Sequence, residues 1–199
     1  MSKQVWRGST LLGPIPPTLI TCGTMDAPNI FTVAWTGIIN TIPPKTYISV
    51  RPERFSYELI EKSGEFVINI PTEELVRAVD FCGVRSGRTV DKFKEMNLTA
   101  EQAPNLSAPM LAESPINLEC RVTEKLELGS HHMFLADIVS VNVDEKLLDS
   151  TGKLCFDKSH PIAFAHGTYY KLGESMGTFG YTVKKKIKKK HKKAVQNKK

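Results

Sequence analysis

A mainly β fold, an antiparallel barrel or sandwich carrying short helical insertions, is predicted by three features of this 199-residue sequence. Strand-like segments dominate, turn residues punctuate them, and the helical patterns are few and short. In order, the strand segments run from Leu19 to Met25, Ile30 to Ile38, Thr46 to Arg51, Glu65 to Ile70, Ile116 to Leu126, Met133 to Val143 and Ile162 to Tyr170. The first four are rich in β-branched and aromatic residues, and Pro52 ends the third by removing a ladder donor. The segment from Met133 alternates through its second half, as a strand with one wetter face does. Short helices are expected over Ser56 to Lys62, with Ser56 as cap and Gly64 as stop, over Thr72 to Phe81, and over Asp91 to Met96. Thr72 reads as the cap of the second, with Glu73 and Glu74 near its positive end.

After Gly173 the character changes. Gly173, Gly177 and Gly180 loosen the chain, and from Lys184 it becomes an almost unbroken lysine run. The expected division is a domain over 1–173 and a linker and Lys-rich tail over 174–199, the tail burying too little apolar surface to fold alone. That tail also distorts the formal charge of +6. Without the ten lysines that follow Val183, 17 basic residues face 21 acidic ones, so the body is near −4. A basic stripe for nucleic acid belongs on a folded body, so nucleic acid or another polyanion is expected only through the tail, if at all.

Cys22, Cys82, Cys120 and Cys155 form no C-x-x-C pair and read as free thiols. His131 and His132 are adjacent, which in a strand sends their rings to opposite faces, so no metal site is expected. No stretch approaches the roughly 18 apolar residues of a membrane span and no leader pattern opens the chain, so the expected location is the cytoplasm.

The richest segment runs from Tyr47 to Tyr57, where an apolar strand leads into Arg51, Arg54 and a helix-opening Ser56. Helix-start N–H groups, the serine hydroxyl and a guanidinium together make an anion site, for which a phosphate is the natural occupant. The plainer alternative is a strand–helix junction whose arginines pair with surface acids. Asn29 to Trp35 reads as a strand with Asn29, Phe31, Val33 and Trp35 on one face, able to offer polar groups and an apolar wall to a planar ligand. The glycine-broken loop from Phe81 to Phe93 carries Arg85, Arg88 and Lys92 and suits a second hand on a phosphate.

Taken in order, Asn29-Ile30-x-Thr32-x-Ala34-Trp35, Ile48-Ser49-Val50-Arg51-Pro52-x-Arg54-x-Ser56-Tyr57, Gly64-Glu65-Phe66-Val67-Ile68-Asn69, Cys82-Gly83-x-x-Ser86-Gly87-Arg88-x-x-Asp91-Lys92-Phe93 and Gly129-Ser130-His131 resemble the flavin reductase-like family of FMN-binding split β-barrels, most closely its flavoredoxin-type branch. The resemblance spans about residues 5 to 173. It implies a six-stranded split barrel, a homodimer and FMN in a groove near the dimer interface. By position, Asn29, Thr32 and Trp35 would meet the isoalloxazine. Ser49 and Val50 would offer backbone groups to its edge or ribityl chain. Arg51, Arg54, Ser56 and Lys92 would hold the phosphate, with Ser86 as a further helper. His131 and Phe164 would close over the flavin, the second subunit being a candidate source of both.

Flavin chemistry needs no protein acid, base or nucleophile, and no G-x-G-x-x-G follows a strand to mark a separate nicotinamide domain. Two readings share the site: an NAD(P)H-dependent flavin reductase-like oxidoreductase, and a flavoredoxin-type electron carrier served by a redox protein. A polyanion-binding protein working through its tail is the more distant third.

Overall fold

The structure, a computed structural model, describes residues 1–184. The Lys-rich tail expected to lack structure of its own therefore falls, from residue 185 onward, outside the described residues. Among the described residues no helix is long and apolar enough to cross a membrane.

A seven-stranded antiparallel sheet organises the chain, one strand more than the six expected. Its strands are β1 (Thr18–Thr24), β2 (Ala27–Val33), β3 (Thr36–Thr41), β4 (Pro44–Val50), β5 (Glu65–Asn69), and, after two short strands β6 (Ala100–Glu101) and β7 (Met110–Leu111), the long pair β8 (Ile116–Glu127) and β9 (His132–Val143). In space they run β2-β1-β5-β8-β9-β4-β3. The extra strand arises because the segment from Ile30 to Ile38 is not continuous. It breaks at Ala34 and Trp35, and β2 and β3 then lie at opposite edges of the sheet. The chain passes from one edge to the other through those two residues, and the Ser49 N–H bonds the Trp35 carbonyl at 2.9 Å across the gap. This is the seam of a split barrel.

The last expected strand is also divided. His166 and Gly167, both at positive φ (48° and 82°), turn β10 (Ile162–Ala165) into β11 (Thr168–Lys171), with Ala165 opposite Thr168. Such a two-residue hairpin needs positive φ at both turn positions, which glycine supplies freely and histidine only under tertiary constraint.

Helix α1 (Phe55–Ser63) follows β4 and buries Tyr57 and Ile60 among Ile20, Phe31, Ile48, Phe66 and Phe134 inside the barrel. Helix α2 (Val76–Val84), entered through a 3-10 turn at Glu73–Leu75, and the single-turn α3 (Lys92–Glu95) cover the opposite face of β1 and β2, where Leu19, Ile30, Val79, Cys82 and Phe93 pack together. Both faces of β1 are thus buried, which is why it reads as an apolar run rather than an alternation. Thr72 makes no side-chain cap bond, contrary to expectation, and Asp91 caps α3 by accepting from Lys94 N at 3.1 Å.

Candidate functional site

At the seam a cavity of about 180 Å³ opens, lined by Phe31, Thr32, Val33, Ala34 and Trp35 on one side and by Ser49, Val50, Arg51, Arg54 and His131 on the other. Successive side chains of a strand point to opposite faces, so a cavity touched by five consecutive residues meets the strand at its hydrogen-bonding edge. Strand β2 has a neighbour on one side only, so its other edge presents backbone donors and acceptors to the slot. A flat heterocycle with alternating donors and acceptors fits such a wall.

Trp35 closes one end. It does not share a strand face with Asn29, as the sequence suggested, because the break at Ala34 and Trp35 releases it from β2. Its indole, 41% exposed, lies 4.3 Å from the His131 ring at an interplanar angle of 42°. Burial, aided by the Arg51 charge, holds the His131 imidazole below its ordinary pKa. The Ser49 amide is spent on Trp35, which leaves its hydroxyl without a partner among the described residues. The Thr32 hydroxyl points the other way and donates to the Val79 carbonyl of α2, so Thr32 lines the slot through its backbone.

The cationic end is built differently. Arg54 is the N-cap residue of α1 and offers the helix no side-chain bond, and Ser56, expected to be the cap, sits inside the helix. The turn at Pro52 and Glu53, closed by Arg54 N donating to Arg51 O at 3.0 Å, starts the helix earlier than the serine. Buried Ser56 instead accepts from Asn29 Nδ2 at 2.7 Å, and the same amide reaches Cys22 Sγ at 3.6 Å. Asn29 therefore braces β2 against α1. The loop comes close on its other side: a Cβ on Gly87 would stand 2.1 Å from Asn29 Oδ1 and 2.8 Å from the Phe55 ring, so only glycine passes there without a shift.

Behind this brace lies Lys92, 4% exposed. Its ammonium has two long contacts, to the carbonyls of Cys82 and Arg85, both at 3.4 Å, and no carboxylate among the described residues. Burial lowers its pKa. A buried charge without a counter-ion is costly, and a bound anion would offset that cost. Arg51 and Arg54 have no ion pair among the described residues either, whereas Arg88 is held by Glu58 beneath the Phe55 ring. Burial also pushes the Cys22 and Cys82 thiols up to about 11, so neither is a nucleophile at neutral pH.

The structure thus gathers Thr32, Trp35, Ser49, Val50, Arg51, Arg54 and His131 around the slot, with Asn29, Ser56 and Lys92 adjoining it. Within one chain, two expected residues are not brought there. Ser86 lies exposed in a turn, its carbonyl accepting from Thr89 and Val90 N–H at 3.2 Å. Phe164 belongs to β10, packs on Tyr169 at 5.1 Å and exchanges backbone bonds with Ile15, and does not line the slot. The sequence reading took the backbone of this strand as a source of donors and acceptors for a planar ligand, but did not single out Phe31, Val33 and Ala34 as lining residues, since a strand edge carries no residue signature.

A split barrel with a backbone-lined slot and a cationic pocket beside it defines a flavin-binding class, and the comparisons agree: the flavin reductase like domain matches residues 13–173. The chain belongs to the flavin reductase-like family. Among solved structures it is similar to the flavoredoxin of Desulfovibrio vulgaris (Miyazaki F), at 32% identity and a TM-score of 0.85, covering 92% of this chain and 100% of that one. It is similar also to the flavoredoxin of Methanosarcina acetivorans, at 27% identity and 0.83, covering 92% and 98%. An uncharacterised protein of Archaeoglobus fulgidus is 31% identical over 149 residues, 75% of this chain and 84% of its own length.

Proposed function

We propose that this protein binds FMN and acts in electron transfer as an NAD(P)H-dependent flavin reductase-like oxidoreductase. The observation that carries the reading is Lys92: a buried ammonium without an acid, beside the unpaired Arg54 and the start of α1, asks for a compact anion of the size and charge of a phosphate. The β2 edge supplies donors and acceptors for a flat ring, and Trp35 with His131 supplies its apolar wall. FMN has both parts.

The bound flavin supplies the redox chemistry. The chain's own groups do the rest. Backbone groups of residues 31–34 orient the ring, Arg54 and Lys92 neutralise the phosphate, and the Trp35–His131 pair limits water at the open end. Ser56, held by Asn29, keeps its own hydroxyl hydrogen available for the anion.

Calorimetry tests the cofactor. FMN should bind at least tenfold more tightly than riboflavin, and equal affinities would remove the phosphate assignment. The second reading, a flavoredoxin-type carrier between proteins, draws support from the two flavoredoxins reported above. Fast NAD(P)H oxidation with added flavin supports the reductase; firmly retained FMN that NAD(P)H reduces slowly supports the carrier.

We also propose a homodimer. Strand β3 is an edge that leaves Ile38 at 64% and Ile39 at 46% exposure, and the turn after it leaves Ile42 at 90%, beside the open slot. Light scattering should report about twice the 22.2 kDa chain mass.

A further inference from the structure

We infer that Arg51 is not a phosphate ligand but the residue that stabilises the negative charge the flavin ring gains on reduction. The inference rests on the FMN reading above and separates Arg51 from Arg54, Ser56 and Lys92, the other residues that the family resemblance assigned to the phosphate.

The division follows from the strand register. Strand β4 ends at Val50, opposite His132 at the start of β9, so Arg51 and His131 leave that last pair at the same end of the ladder, and both line the slot. His131 stacks on Trp35 at the apolar end of the slot. Arg54, three residues on, stands instead at the start of α1, two residues before the serine that Asn29 holds. The charges report the same separation: Arg51 acts on His131, while Arg54 acts on Lys92. Glu53, in the turn between the arginines, also faces His131 and partly offsets Arg51 there without forming an ion pair with it.

Charge balance points the same way. A phosphate carries about two negative charges at neutral pH, and Lys92 and Arg54 already supply two positive ones beside a helix N-terminus. Arg51 is a third cation, exposed, with no acid of its own among the described residues. The oxidised flavin ring is neutral. Transfer of a hydride from a nicotinamide donor breaks the donor's C–H bond and brings two electrons and one proton, leaving the ring with one negative charge. A cation beside the ring binds that form better than the oxidised form, and a ligand state preferred by the protein is by linkage the state whose formation is favoured. Arg51 would thereby raise the reduction potential of the bound flavin.

The test compares Arg51→Gln and Arg51→Lys with the parent protein, using oxidised FMN, oxidised riboflavin and, under nitrogen, the same two ligands reduced by dithionite. Arg51→Gln should leave both oxidised affinities within about threefold and weaken both reduced ligands ten- to a hundredfold, equivalent to a potential lower by about 30 to 60 mV for a two-electron couple. Arg51→Lys should keep most of the effect. In the flavin-free protein, the His131 imidazole followed by NMR should titrate at higher pH once Arg51 is replaced by Gln. Losses confined to FMN and equal for its oxidised and reduced forms would overturn the inference in favour of a phosphate contact, and unchanged affinities throughout would overturn it too. Failure of the parent protein to bind any flavin would instead remove the FMN reading on which both rest.

Discussion

The two ends of the slot solve the same problem, holding a ligand, with opposite materials. At the seam the wall is the unpaired edge of β2 capped by an exposed indole, and at the start of α1 it is a set of side chains, Asn29, Ser56 and Lys92, all buried. The first is open and its chemistry is backbone chemistry. The second is side-chain chemistry from buried residues, and its cost is carried by a desolvated ammonium. A flat ring suits the backbone edge, while an anion suits the end built from buried polar side chains.

The sharpest way to break this contrast is to remove the buried charge. Lys92→Met should weaken FMN by about 1.5–3 kcal/mol, the worth of a charge-assisted contact, and leave riboflavin nearly unchanged. The same change should raise the melting temperature of the flavin-free protein, because it replaces an uncompensated buried cation by an apolar chain of similar length. A drop in both quantities would make Lys92 a structural residue.

Gly87→Ala tests the brace. A Cβ at 2.1 Å from Asn29 Oδ1 forces the loop or the asparagine to move, and overpacking of this kind costs about 1–3 kcal/mol. Thermal unfolding should show the loss, and FMN should suffer more than riboflavin because Ser56 is displaced with Asn29. A fully stable variant would mean that the loop yields easily. At the other end, Trp35→Ala should weaken FMN and riboflavin alike by about 1–2 kcal/mol, since it removes apolar contact and no phosphate contact. It should also relieve quenching of bound-flavin fluorescence. Intact affinity together with intact quenching would move the ring away from this wall.

The smallest effect is the dependence on pH. Burial lowers the Lys92 pKa in the folded protein below its unfolded value near 10.4. The folded state then binds fewer protons than the unfolded one between those two pKa values. The penalty for burying the charged form is complete below the folded pKa and is relieved as pH rises through the window, so this group makes flavin-free stability climb there. Phosphate binding favours the charged form, so FMN affinity should fall over the same window while riboflavin affinity stays flat until the flavin ring itself titrates. Parallel curves for the two ligands would separate Lys92 from the phosphate.

The contrast also explains what could be read in advance. The strands β4, β5, β8 and β9 and the glycine stop of α1 are legible because their signals are local: β-branched runs, alternation, and Gly64 at φ 68°. The cationic end was legible as residue types, although Ser56 proved to be braced by Asn29 rather than capping the helix. At the open end the residues Trp35, Ser49, Val50 and His131 were legible, but the strand break was not. Nothing in Val33-Ala34-Trp35-Thr36 marks a break, since none of the four is a proline or a glycine, and the interruption comes from the barrel having to return the chain to its far edge. His166 and Gly167 hid a hairpin for a related reason, histidine being a poor advertisement for positive φ.

The seam has one more effect, on solubility. A bare strand edge is a template for pairing with any other extended chain, and β2 carries no lysine to discourage it, while its one proline, Pro28, stands near the strand's start, ahead of Phe31 to Val33. A flat cofactor seated against Phe31 to Ala34 covers those groups as a covering strand would. Flavin-stripped preparations should therefore self-associate and bind amyloid-reporting dyes sooner than flavin-loaded ones at equal concentration, making the cofactor a guard against aggregation as well as a reagent.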